Sequence, residues 1–197
     1  QGRFTDAQIA LERAYAQNEG NGQENMALCC DFLELRLSLC TEAALRQSME
    51  ERRAQLLRQH NAAWLNLWDA ACAYYAALLM QEARIPPLFA EHRLSSVHFL
   101  APGKPMMEMI ENQVYLAQGA YAKVIGRSEG QLAVCAAMHY ALVGLYVRIQ
   151  TAAAYAMLGK RTEAQALLEQ ALSDAQPDGL RMPFVENHRY LCALLPH

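Results

Sequence analysis

"GKRTEAQALLEQALSDAQPDG" occupies residues 159–179, and "GRFTDAQIALERAYAQNEG" occupies residues 2–20. The two align without a gap for fourteen positions, pairing Gly2 with Gly159, Thr5 with Thr162, Asp6 with Glu163, Ala7 with Ala164, Gln8 with Gln165, Leu11 with Leu168, Glu12 with Glu169 and Ala14 with Ala171. A chain that writes nearly the same helix twice offers the same socket twice, which is the mark of a helical repeat. Glycine after a helix takes the left-handed conformation that other residues resist, turning the chain so that the next helix packs antiparallel. On this reading Ala7, Ala14, Ala164 and Ala171 let neighbouring helices approach, while Leu11, Leu168 and Leu172 fill the seam.

The repetition extends inward. Tyr115 and Gly119 recur as Tyr155 and Gly159, forty residues on, and Tyr75 stands forty residues before Tyr115. Residues 23–85 contain no Gly or Pro and are rich in Ala, Leu, Glu, Gln and Arg, a helix-forming composition. The pattern predicts helices near 4–18, 24–40, 42–59, 61–82, 106–118, 120–137, 139–158, 160–175 and 183–194. Thr5 and Asp6 can start the first, and Gly20 and Gly22 end it; Pro177, Gly179 and Pro183 separate the last two. Residues 84–105, with four prolines and a glycine, form an irregular connector allowing at most a short helical turn. No stretch alternates as a strand would. The expected fold is all-α: a tetratricopeptide-like superhelix of antiparallel helical hairpins, in a single helical-repeat domain over 1–197. Residues 23–63 depart from a tidy forty-residue period, so an unequal helix is expected there.

Composition narrows the function. Of 197 residues, 53% are hydrophobic, enough for a packed core. The most apolar stretches, 62–80 and 141–158, are interrupted by Asn66 and Asp69 and by Arg148, Gln150 and Thr151, so neither reads as a membrane span. The net charge is −3 with scattered Lys and Arg, giving no footprint for DNA. Six cysteines lie in apolar helical contexts without CxxC pairs, as reduced thiols in a cytoplasmic protein would. The chain starts on Gln1 without an initiator Met and is read as a fragment.

The stretches "GAYAKVIGRSEG" (119–130), "GLYVRIQTAAAYAMLGKRTEAQALLEQALSDAQPDGL" (144–180) and the Met-Pro-Phe-x-Glu block at 182–186 carry a resemblance. Together with "RIPPLFAEHRL" (84–94), they resemble the tetratricopeptide-like central domain of large bacterial LuxR-family transcriptional regulators with a maltose-regulon-activator-like architecture. The resemblance is best over 109–196. It implies a domain that senses an inducer or a partner protein and relays that state to ATP-binding and DNA-binding domains. No GxxxxGK[ST] loop and no basic helix-turn-helix occur in this chain. The partners implied are the flanking domains, a small-molecule inducer or regulatory protein, and a second copy; DNA enters only through a helix-turn-helix outside this chain, and no membrane is involved.

Four residues are candidate ligand contacts. Trp64, Trp68 and Tyr75 share a helix face and read either as an aromatic wall for a sugar or ring-bearing inducer, or as core knobs between hairpins. Arg148 interrupts an apolar helix, so it meets a carboxylate or anchors an anion. His92, His98 and Glu91 fit no zinc spacing, and His188 with Cys192 makes half a site, so neither metal nor cofactor is expected. The run "EERRAQLLR" at 50–58 reads as a solvated face with intrahelical ion pairs. No nucleophile or paired-carboxylate arrangement points to an enzyme. The alternative reading is a tetratricopeptide scaffold that binds protein and no small molecule.

Overall fold

The computed structural model describes residues 2–41, 44–97, 99 and 103–194, and it is all-α. Its helices are α1 (Phe4–Asn21), α2 (Glu24–Ser38), α3 (Met49–Arg58), α4 (Ala62–Leu78), α5 (Pro87–Ala90), α6 (Lys104–Ala117), α7 (Tyr121–Ala137), α8 (Ala141–Met157), α9 (Arg161–Ala175), α10 (Met182–Glu186) and α11 (His188–Leu191), joined by short 3-10 turns at Glu82–Arg84, Leu94–Ser96 and Cys192–Leu194.

A twenty-residue step recurs in two stretches of the chain, from 60 to 80 and from 119 to 179. His60, Met80, Gly119, His139, Gly159 and Gly179 all have positive φ. Each follows a helix and is spanned by one backbone bond: Asn61 to Leu56, Gln81 to Ala76, Ala120 to Tyr115, Tyr140 to Cys135, Lys160 to Tyr155 and Leu180 to Ala175, all 2.8–3.3 Å. This Schellman closure satisfies carbonyls that a helix end leaves open. The forty-residue recurrence of Tyr and Gly is two such steps, and His139 fills the intermediate turn without glycine. An added Cβ at Gly159 meets nothing within 4 Å, so its need for glycine is conformational. Gly159→Ala is expected to cost about 1 kcal/mol, whereas His139→Gly should gain about 0.5 kcal/mol, partly cancelled by unfolded-state freedom. Urea midpoints of the two variants check the opposite signs.

Successive helices alternate between two layers. α2, α4, α6 and α8 pack side by side in one row, extended by α10 and α11 against α8; α1, α3, α5, α7 and α9 pack outside them. The inner helix α6 is buried on every side from Met109 to Ala117. Its polar side chains are each met by a neighbour. Glu111 faces Arg127 of α7 and His92, Asn112 donates to Gln131 of α7 at 2.6 Å, and Gln113 accepts from Gln150 of α8 at 2.9 Å. Such buried amide pairs fix the register of inner helices, because a slip would strand them without partners.

Several expectations change. The helix expected over 42–59 begins only at Met49, because Ser48 accepts from the Glu51 amide and Glu51 accepts from the Ser48 amide, both at 3.1 Å, a capping box. Residues 42 and 43 lie outside the described residues. The helix expected over 183–194 breaks at Asn187, whose buried side-chain amide donates to the Pro183 carbonyl at 2.9 Å, occupying the acceptor that a continuous helix would use. The run at 50–58 is not a solvated face with intrahelical pairs. Arg52 reaches Asp31 of α2, and Arg53 makes two bonds to Asp69 of α4 at 2.7 and 2.9 Å. Leu172 does not fill a seam but is exposed, and Ala7 is exposed too, whereas Ala164 and Ala171 are fully buried. The likeness of α1 and α9 thus hides different surroundings: α9 lies against long α8, while α1 packs chiefly on α2.

Candidate functional site

The inner row converges on one arginine. Arg36 is the sole basic residue of 24–40, an otherwise apolar and acidic stretch. Its Nη2 donates to Glu186 Oε1 of α10 at 2.7 Å and to the Tyr146 hydroxyl of α8. Glu186 Oε2 accepts from Tyr74 of α4 at 2.7 Å and from Tyr146 at 2.9 Å. The two tyrosine rings meet edge to face, 6.4 Å between centroids, and the guanidinium lies 5.7 Å from each ring centre. Four helices are clasped by side chains up to 150 residues apart.

The electrostatics follow from this packing. The Glu186 side chain is 4% exposed and the Arg36 side chain 47%, so the carboxylate is buried with its cation half in water. Burial works against the Arg36 charge, but the Tyr146 oxygen, Glu186 and Tyr74 outweigh it and hold its pKa above the usual value. Burial, then Glu186, pushes the Tyr74 phenol well above its usual pKa. Burial also raises Tyr146, with Arg36 opposing and Glu186 reinforcing. Because the folded state holds these protons more tightly, their contribution to stability is whole below the unfolded tyrosine pKa of about 10 and is lost as pH rises through the folded values. The urea midpoint should therefore fall above pH about 10, and Tyr74→Phe should shrink that fall relative to its own neutral-pH midpoint.

Two cavities flank the clasp, and Arg36 borders both. One, of 490 Å³, lies between α1, α2 and α10, with Leu11, Leu33, Leu37 and Met182 in its wall. The other, of 280 Å³, lies between α2, α4 and α6 and is lined by Phe32, Leu39, Leu67, Met107 and Ile110 among others. Tyr75 borders this second cavity. Trp68 stands behind it, 3% exposed, its indole donating to the Met49 carbonyl at 3.1 Å. Phe32 stacks on Trp68 at 5.5 Å between centroids and lies 6.5 Å from Trp64. Trp64, Trp68 and Tyr75 thus belong to one packing cluster of α2, α3 and α4. Arg148 does not join them: it pairs with Asp174 of α9. Arg36, Tyr74, Tyr146 and Glu186 escaped the sequence reading, although a lone basic residue at 36 was a usable signal.

Elsewhere, His92 stacks on Tyr115 at 3.9 Å, and its Nε2 lies 2.8 Å from Gln118 Oε1. His98 lies outside the described residues. Among the described residues, no three His, Cys, Asp or Glu side chains come together to hold a metal ion, and no helix is long and apolar enough to cross a membrane. Burial, with Asp69 adding, pushes the Cys72 thiol up to about 12. Cys30, Cys72 and Cys135 are buried, whereas Cys192 is exposed. A thiol reagent at pH 8 should therefore label Cys192 at once and Cys72 only on unfolding, as peptide mapping would show.

No protein-family model, curated protein or solved structure matches the chain.

Proposed function

We propose that this chain is a sensing and protein-interaction domain of a LuxR-type transcriptional activator, working in the cytoplasm and relaying inducer or partner binding to ATP-binding and DNA-binding domains outside this sequence. The observation that carries this reading is the clasp of Arg36, Tyr74, Tyr146 and Glu186, which ties the N-terminal hairpin to α10 between two largely apolar cavities. Arg36 is part of the wall of both cavities, so a molecule bound against it in either one bears on whether α2 and α10 stay joined. Binding shifts such an equilibrium only through different affinities for the clasped and released arrangements. A thermal-shift screen against sugars, amino acids, nucleotides and aromatic acids tests the idea, with tryptophan fluorescence followed alongside. A ligand at one hundred times its Kd should add about 2.7 kcal/mol of stability; a flat screen would count against a metabolite sensor.

The scaffold reading has its own observation. A groove of 820 Å³ runs between α9 and α10, where Leu172 and Val185 are 51% and 58% exposed. Exposed apolar side chains along a groove suit a partner helix or a second copy. Sedimentation at rising concentration tests self-association, and Val185→Lys should abolish any dimer that uses this groove.

A further inference from the structure

We infer that the 280 Å³ cavity between α2, α4 and α6 binds an uncharged, largely apolar molecule bearing one carbonyl- or amide-type oxygen, held by Arg36. This rests on the sensor reading above and names the class of its ligand.

The walls set the body of the ligand. Leu39, Leu67, Met107 and Ile110 present hydrocarbon and thioether surface, and the volume suits about ten to fifteen non-hydrogen atoms. Leu33 and Met106, which also line the cavity, are 60% and 47% exposed. Methionine is adaptable and shapes itself to varied apolar guests.

Arg36 sets the polar end. Arginine has five N–H donors, and here Nη2 serves both Tyr146 and Glu186. Among the described residues, its Nε and Nη1 donate no hydrogen bond. Those donors lack a protein partner among these residues, and Arg36 is part of the cavity wall. Charge decides which acceptor. Glu186, 2.7 Å from Nη2, already balances the guanidinium, and among the described residues no other basic side chain lines this cavity. A ligand carboxylate would bring a second negative charge close to Glu186 with one cation between them. An ammonium would face the guanidinium itself. A neutral carbonyl oxygen accepts from those donors with neither repulsion.

Three probes with the same ten-carbon skeleton isolate the head group: decanamide, decanoate and decylamine, added to the full chain at pH 7 below their aggregation thresholds. Phe32 lines the cavity and touches both tryptophans, so intrinsic fluorescence reports occupancy. Decanamide should bind saturably and at least tenfold more tightly than either charged probe. The variant Met106→Gln, at a position that lines this cavity and not the 490 Å³ one, should weaken decanamide severalfold while leaving the circular dichroism spectrum unchanged, because the side chain is exposed. Decanoate binding as tightly as decanamide, or all three binding alike, would overturn the inference and leave the sensor reading standing. So would failure of all three probes beside a hit at another cavity in the broad metabolite screen. Failure of both the probes and that screen would remove the sensor reading as well.

Discussion

Trp68→Ala is expected to destabilise the protein by about 4 kcal/mol. The indole is 3% exposed, packs among Leu28, Leu35, Met49 and Leu56, and stacks on Phe32. Its removal leaves a large void among three helices and deletes the 3.1 Å bond that the indole nitrogen donates to the Met49 carbonyl. Trp68→Phe refills much of that space but still lacks the donor, so its cost should be near 2 kcal/mol. Urea denaturation followed by far-ultraviolet circular dichroism measures both. A cost below about 1 kcal/mol for the alanine variant would mean that Trp68 contributes little packing and would return it to the ligand-contact reading.

Glu186→Gln should destabilise by about 2 kcal/mol, less than the full penalty for breaking a buried pair because Arg36 is half in water. The substitution keeps the shape and removes the charge, leaving the Arg36 guanidinium without its carboxylate beside two buried rings. The change should also be local. α10 has only five residues, and its side-chain bonds from Glu186 run to α2, α4 and α8. The backbone amides of Met182, Phe184, Val185 and residue 186 should therefore exchange with deuterium faster than in the parent, while those of α8 do not, under conditions where the protein stays folded. If the midpoint and the α10 exchange both match the parent, the four residues do not clasp the ends of the inner row. Pairing this variant with Arg36→Met in a double-mutant cycle separates the ion pair from the packing of the arginine stem.

Helix formation and hairpin turns were legible in the sequence because their causes are local. A left-handed helix end favours glycine whatever surrounds it, so Gly159 marks its turn, and residues 141–157 are helical by composition. The turn at His139 was harder to read: non-glycine residues adopt positive φ only occasionally, so a histidine marks such a turn far more weakly than Gly159 does. Arg148 was recognisable as a residue requiring a partner, and Asp174 of the next helix supplies one. At 50–58 the same local reasoning pointed the wrong way. Spacing suggests bonds within one helix, but the Arg52 and Arg53 carboxylate partners sit on α2 and α4.

By itself the sequence determined an all-helical chain with recurring turns, since propensity, apolar periodicity and glycine conformation act over a few neighbouring residues. Only the tertiary structure decided which of two similar helices would be enclosed: Ala7 in α1 is exposed, whereas its counterpart Ala164 in α9 is fully buried. It also decided the clasp. Arg36 and Glu186 are 150 residues apart, and no local preference selects one carboxylate among all those in the chain. That selection comes from stacking the inner helices in a row, which brings α2 and α10 together and leaves Glu186 buried where Arg36, Tyr74 and Tyr146 can reach it.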